Sequence, residues 1–241
     1  GFAKAFDITF TDQNNQRVHP HQTSWGVSTR LIGGIIMTHG DNNGLVLPPK
    51  IAPVQIVVVP VAQHKPGVLD AAAALLDRLQ AAGFRAKLDD SDNSLGWKCA
   101  QWEMKGVPLR IEIGPKDLEQ NQCCMVRRDN REKAFAPLAQ LEQSAASLLD
   151  AVHEGLYQRA KKNLEEHTYE AHSLEEARTL QQEHGGFIKT MWCESPECEA
   201  RMKEEAGMTS RCMPFQQEHL DDVCPICGKP AKKMIYWGVA Y

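Results

Sequence analysis

No run of 18 apolar residues occurs anywhere in the 241-residue chain, so the sequence offers no transmembrane helix. The longest apolar stretch, around Val57–Val59, has the length of a β-strand. The opening residues, GFAKAFDITF, lack the basic start, long apolar block and small-residue cleavage site of a signal peptide. An initiating methionine is missing too, and the pattern begins midway, as in a fragment or a trimmed polypeptide. No repeat or low-complexity tract interrupts the chain. A strong net charge is also lacking, at −4. That value neither favours nor excludes a nucleic-acid partner, because RNA binding needs a local basic face rather than a basic total. The 42% hydrophobic content is ordinary for a globular protein, and the length suits one large or two smaller domains.

Along the chain, residues 1–50 read as a strand (FDITFTD), a loop and a helix (VSTRLIGGIIMTHG). Val27, Leu31, Ile35 and Ile36 fall at helical spacing. Gly33 and Gly34 lower helix propensity but allow close backbone packing. LVLPPKIAP reads as an extended, proline-rich boundary. VQIVVVPV is a continuous apolar run, expected of a strand covered on both faces. A helix follows between Pro66 and Gly83, then strand FRAKLD, helix LGWKCAQWEMKG capped by Ser94, strand PLRIEIG, a short helix in GPKDLE, and a last strand QCCMVRRD. This alternation predicts an α/β fold with a mostly parallel or mixed sheet. Residues 137–168 read as one long helix, striped by Leu138, Leu141, Ala145, Leu148, Val152 and Leu156. Ser173 with Glu176 forms a capping box for a shorter helix ended by Gly185 and Gly186. From Phe187 onward, short strands and turns surround cysteines.

Eight cysteines would be many for a cytosolic protein, but four explain themselves. Cys193-x4-Cys198 is followed 26 residues later by Cys224-x2-Cys227, with Gly228 permitting the tight turn of CPICG. Two thiolate pairs supply the four soft, tetrahedral ligands that zinc prefers, and a filled ligand set makes the site structural. A disulfide pair or free thiols are the plain alternative. Cys212 and His219 are alternative ligands. The remaining cysteines, Cys99, Cys123, Cys124 and Cys212, show no disulfide framework, which favours a reducing, cytoplasmic compartment.

The segment QTSWGVSTRLIGGIIMTHGD places Arg30 on a helix just after a Trp-Gly turn, where a guanidinium can fork onto a triphosphate. This run resembles motif 3 of class II aminoacyl-tRNA synthetases. Its wording from QTSWGVSTR to THGDNNGLVLPPKIAPVQIVVVP resembles prolyl-tRNA synthetases of the archaeal and eukaryotic type. WKCAQWEMKGVPLRIEIGPKDLE, the cysteine spacing and the end IYWGVAY carry the same resemblance, which covers essentially the whole chain.

The resemblance implies a multidomain α+β protein. Residues 1–50 would end a class II catalytic domain, 51–136 form an anticodon-binding domain, 137–172 a connecting helix and 173–241 a zinc domain. It implies activation of L-proline with ATP and Mg2+, then transfer to tRNA(Pro), in a homodimer with no membrane association. Arg30, with Ser28 and Thr29, would grip ATP, and Ser24, Trp25 and Gly26 would line the proline pocket. His19, His21 and His39 are assigned surface or hydrogen-bonding roles. In the anticodon-binding segment, Trp97 and Trp102 are candidates for base stacking. Lys98, Lys105, Arg110, Lys116, Arg127 and Arg128 are candidates for phosphates and guanines, and Glu103 for guanine N1 and N2. Cys193, Cys198, Cys224 and Cys227 would hold zinc. Tyr236 and Tyr241 would support the active site from the C-terminal end. Motifs 1 and 2 are missing, so the 241 residues alone should lack synthetase activity. The competing reading is a non-catalytic tRNA- or RNA-binding protein built from the anticodon and zinc modules.

Overall fold

The structure, a computed structural model, describes residues 2–240. It opens with a short helix α1 (Phe2–Ala5) and a two-stranded antiparallel ribbon, β1 (Phe10–Thr11) and β2 (Arg17–Val18). The strand expected across FDITFTD is shortened to two residues. Asp7 adopts a left-handed φ of 48°, and the Ile8 N–H turns back to the Ala3 carbonyl. Helix α2 spans Arg30–His39 and buries none of its residues. Gly33 and Gly34 have nothing within 4 Å of where a Cβ would sit, so among the described residues they mark no close backbone contact.

The central unit is a five-stranded sheet. Its elements run β3 (Ile56–Pro60), α3 (Val68–Ala81), β4 (Ala86–Leu88), α4 (Leu95–Met104), β5 (Leu109–Ile113), α5 (Pro115–Glu119), β6 (Gln122–Arg127) and β7 (Lys133–Pro137). The strand order is β4-β3-β5-β6-β7, with the first three parallel and the last two antiparallel. Every residue of β3 is buried, as its unbroken apolar run requires. β7 was not foreseen: KAFAP carries a proline and a lysine, tolerated because this is an edge strand.

Helix α6 (Leu141–Glu166), preceded by one 3-10 turn, lays Leu141, Ala145 and Leu149 on the sheet beside α3. Leu149 is more deeply buried than Leu148, a one-residue shift in the expected stripe. Val152 and Leu156 further along α6 close a small cluster with Val46.

A second sheet follows, from β8 (Thr168–Glu170), α7 (Leu174–His184), β9 (Phe187–Trp192), α8 (Pro196–Ala206), β10 (Thr209–Cys212) and β11 (Lys233–Gly238), ordered β10-β11-β9-β8. Helix α8 stands where only strands and turns were expected. Ser195 caps it and Pro196 opens it, both ordinary helix-start signals. In the predicted capping box, Ser173 Oγ accepts from the Glu176 N–H, while Glu176 reaches past the cap to the His172 N–H. Trp237 is fully buried, donates to Thr190 Oγ1 at 2.9 Å and meets Trp192 edge-on.

The first segment is tied to the central sheet at residues 41–47. Leu45 and Leu47 donate to the carbonyls of Met104 and Gly106. A Cβ on Gly106 (φ 72°) would lie 2.6 Å from Leu45 Cβ, so this approach needs glycine. Arg128, its side chain 2% exposed, donates to both Asp41 oxygens at 2.7 Å and to the Glu103 carbonyl at 2.9 Å. The Arg128 hydrogen bond holds the Asp41 carboxyl well below the usual carboxylate range. Asp41→Ala is expected to cost on the order of 2–3 kcal/mol, discounted because Asp41 is itself partly exposed. The depressed pKa makes this contribution complete above pH ~4 and lost as pH falls further. Chemical denaturation at neutral and acid pH should therefore show a smaller acid loss for Asp41→Asn than for the parent chain.

Candidate metal centre and nucleic-acid interface

The four paired cysteines converge. Cys193 leaves β9, Cys198 sits in the first turn of α8, and Cys224 and Cys227 straddle a tight turn. That turn is closed by the Gly228 N–H on the Cys224 carbonyl, with Gly228 at φ 72°. Arg201 of α8 donates to the Ile226 carbonyl at 2.6 Å, fastening the turn to the helix. All four sulfurs lie within 4.8 Å of one another. Cys193 Sγ is 3.6 Å from Cys198 Sγ and 3.7 Å from Cys227 Sγ. These separations are too long for a disulfide, whose sulfurs stand ~2.05 Å apart. They match a tetrahedron: metal–thiolate bonds of ~2.3 Å give sulfur–sulfur edges of about 3.8 Å. The cluster can therefore hold a metal ion, and it includes neither Cys212 nor His219. Cys212 is exposed on β10, and His219 pairs with Asp222 at 3.1 Å.

Burial pushes the Cys198 and Cys224 thiols up, whereas the Lys229 N–H brings Cys227 down to about 7. Metal binding must therefore displace protons from the buried pair, and affinity should fall as pH drops. Removing the metal with a strong chelator, or substituting Cys224→Ser, is expected to expose Trp237 and raise the count of reactive thiols. Near-UV circular dichroism and thiol titration check this. An unchanged tryptophan signal after complete metal removal would count against a structural centre.

The predicted anticodon residues separate into two groups. Lys98 and Trp102 turn inward from α4. Lys98, 2% exposed, donates to Gln63 Oε1 and to the Asp89 carbonyl. Trp102 donates to Asp89 Oδ2 at 2.7 Å, and Lys105 lies over its ring. Both are committed to fastening α4 onto β3 and β4, so the structure does not bring Lys98 to a surface that RNA can reach. Arg127 and Arg128 are likewise consumed by Asp129 and Asp41.

Glu103 and Arg110 do come together. Arg110 donates through Nη1 to Glu103 at 3.0 Å and through Nε to Glu112 at 2.8 Å. Burial works against the Arg110 charge, but these two carboxylates outweigh it and hold the guanidinium charged. Glu112 was missed by the sequence reading. It lies two residues from Arg110 on the same strand, hence on the same face. Lys116 is exposed at the start of α5, on a cleft of about 810 Å³ that Val61, Pro115 and Phe135 also line. Trp97 is 50% exposed on α4.

The predicted nucleotide and proline residues lie apart from these. Ser24, Trp25, Gly26, Ser28 and Thr29 form an exposed, irregular approach to Arg30, the first residue of α2. Trp25 is 93% exposed, and the Arg30 N–H reaches Ser28 Oγ at 3.4 Å. All of them are exposed. Tyr236 lies on β11 beside Phe187, Lys189 and Arg211 in a cleft of about 750 Å³. Tyr241 lies outside the described residues.

Two family profiles match the chain: "Anticodon binding domain" over residues 55–148 and "Prolyl-tRNA synthetase, C-terminal" over residues 174–241. Curated relatives include a "Proline--tRNA ligase" of Ruminiclostridium cellulolyticum, 57% identical over the whole chain. A "Proline--tRNA ligase 2" of Bacillus cereus is 55% identical, and a "Proline--tRNA ligase" of Lachnoclostridium phytofermentans is 54% identical. The chain covers 50% of each, so it spans about half the length of the curated relatives it matches. Together these matches support reading the chain as the C-terminal portion of a prolyl-tRNA synthetase.

Proposed function

We propose that this chain supplies the tRNA-reading and metal-bearing half of a cytoplasmic, homodimeric proline–tRNA ligase. The complete enzyme activates L-proline with ATP and Mg2+ and transfers it to tRNA(Pro). The observation that carries this reading is the pairing of Arg110 with Glu103 and Glu112 on the sheet of a domain matched as anticodon-binding.

Proline anticodons share two guanines. An arginine reads the O6 and N7 edge of guanine bidentately, and a carboxylate accepts from N1 and N2. The Arg110 Nη2 makes no hydrogen bond among the described residues, whereas Nε and Nη1 are held in place by carboxylates. A guanidinium braced in this way loses little freedom on binding, which favours affinity. Lys116 adds a mobile positive charge for a base edge or a phosphate.

At the other end, Arg30 with Ser28 and Thr29 would contribute one wall of the ATP site, and Ser24, Trp25 and Gly26 one side of the proline site. Arg30 would neutralise phosphate charge as the proline carboxylate attacks, an electrostatic role. The four cysteines would hold zinc, which supplies folding energy by cross-linking β9, α8 and the Cys224–Cys227 turn. Tyr236, with Tyr241 beyond it, would support the catalytic half.

Two outcomes test this reading. Arg110→Ala is expected to weaken binding of tRNA(Pro) by about 10- to 100-fold, the usual cost of losing a hydrogen bond made by a charged group. Equal affinity of the variant and the parent for tRNA(Pro) would reject Arg110 as a reader. In addition, the 241-residue polypeptide alone should show no proline-dependent pyrophosphate exchange, whereas the whole enzyme should. Appreciable exchange by the polypeptide would overturn the division of labour proposed here.

A further inference from the structure

The face of the central sheet that carries Arg110 is only partly covered. Helix α4 shields it over β3, where Val57, Val59 and Val107 pack with Trp102. Cys124 and Val126 of β6 are still buried on this face, and the cover stops at the edge strand β7, where Lys133 and Phe135 are exposed. The strand register pairs Glu112 with Cys124 and Cys124 with Phe135, so these three side chains form one row on this face. Adjacent strands are ~4.8 Å apart, which places Phe135 about 10 Å across the sheet from Glu112.

Phe135 is 63% exposed on the edge strand β7. Edge strands ordinarily carry charge rather than a bare aromatic ring. The ring also lines the 810 Å³ cleft that holds Lys116. This cleft opens just past the carboxyl ends of β3 and β5, at Val61 and Gly114, the side of a parallel sheet on which α/β folds take ligands. Lys133 stands two residues before Phe135 on the same face of the strand. An exposed aromatic ring between two lysines, beside a braced arginine–carboxylate pair, matches the chemistry of an unpaired nucleotide. Its base has a face to stack, its edge needs donors and acceptors, and its phosphates need cations.

We propose that Phe135 is the stacking platform for one unpaired base of the anticodon loop. It holds that base flat at the open end of the row so that a neighbouring base meets Arg110 and Glu112. Lys116 and Lys133 take the flanking phosphates. The inference rests on the anticodon reading given above.

The test measures binding of the 241-residue chain to the anticodon stem-loop of tRNA(Pro). Phe135→Ala is expected to weaken binding by roughly 5- to 150-fold, the range for loss of one base–aromatic stack. Phe135→Trp should restore it, and the thermal midpoint of Phe135→Ala should stay near the parent's because the ring is exposed. Stem-loops with an abasic site at each loop position in turn identify the stacked base. At one position, Phe135→Ala should cause no further loss. If Phe135→Ala binds like the parent while Glu103→Ala and Lys116→Ala lose affinity, the stacking role is overturned and the anticodon reading stands. If all three variants bind like the parent, the anticodon reading fails and the inference with it. A loss that adds equally to every abasic substitution also overturns stacking and leaves Phe135 a structural residue.

Discussion

Arg128 joins three parts of the chain at one buried guanidinium. It leaves the end of the central sheet, grips both oxygens of Asp41 just beyond α2, and donates to the carbonyl of Glu103 at the end of α4. A planar fork suits this role because its donors diverge in fixed directions, which an ammonium group cannot imitate. The consequence is positional. The helix that begins with Arg30 and the helix that carries Glu103 are registered to the same residue. The backbone ladder from Leu45 and Leu47 to Met104 and Gly106 runs alongside and keeps that registration stiff.

The second sheet is organised differently. Its apolar cluster is small and centres on Trp237, Met202 and Ile188. Two of the metal-candidate cysteines, Cys198 and Cys224, belong to the same cluster, so the cysteine centre and the core are one structure. Small domains bury too little surface to be stable on packing alone, and a metal cross-link compensates. The central sheet needs no such aid, because α3 and α6 cover one whole face with aliphatic side chains.

Much of the local structure was legible in the sequence. Strand β3 followed from an unbroken apolar run, and the caps at Ser94 and Ser173 followed from residue type. The cysteine pairs were legible because spacing encodes metal chemistry directly. Strand β7 was missed because an edge strand needs no apolar alternation, and α8 because it buries only Cys198 and Met202 and so carries no continuous apolar stripe. Lys98 was misleading for a physical reason. A lysine on a helix looks solvent-exposed in sequence, and only the Asp89 carbonyl and Gln63 waiting above the sheet make burial affordable.

The sequence by itself determined the classes of chemistry: four thiolates in two turn-spaced pairs, an arginine at a helix start, and carboxylates and cations clustered around residues 98–116. Those are matters of residue type and short spacing, which local backbone geometry preserves. The tertiary structure decided which of those groups face outward. Arg127, Arg128 and Lys98 are held by Asp129, by Asp41 and by Gln63 with the Asp89 carbonyl, and Arg110 is held by Glu103 and Glu112, whereas Lys116 and Phe135 are exposed at the margin of the sheet. The Arg110–Glu112 and Arg127–Asp129 pairs follow from a spacing of two, but Arg128 with Asp41 and Lys98 with Gln63 depend on strand order and register, which no short spacing in the sequence encodes.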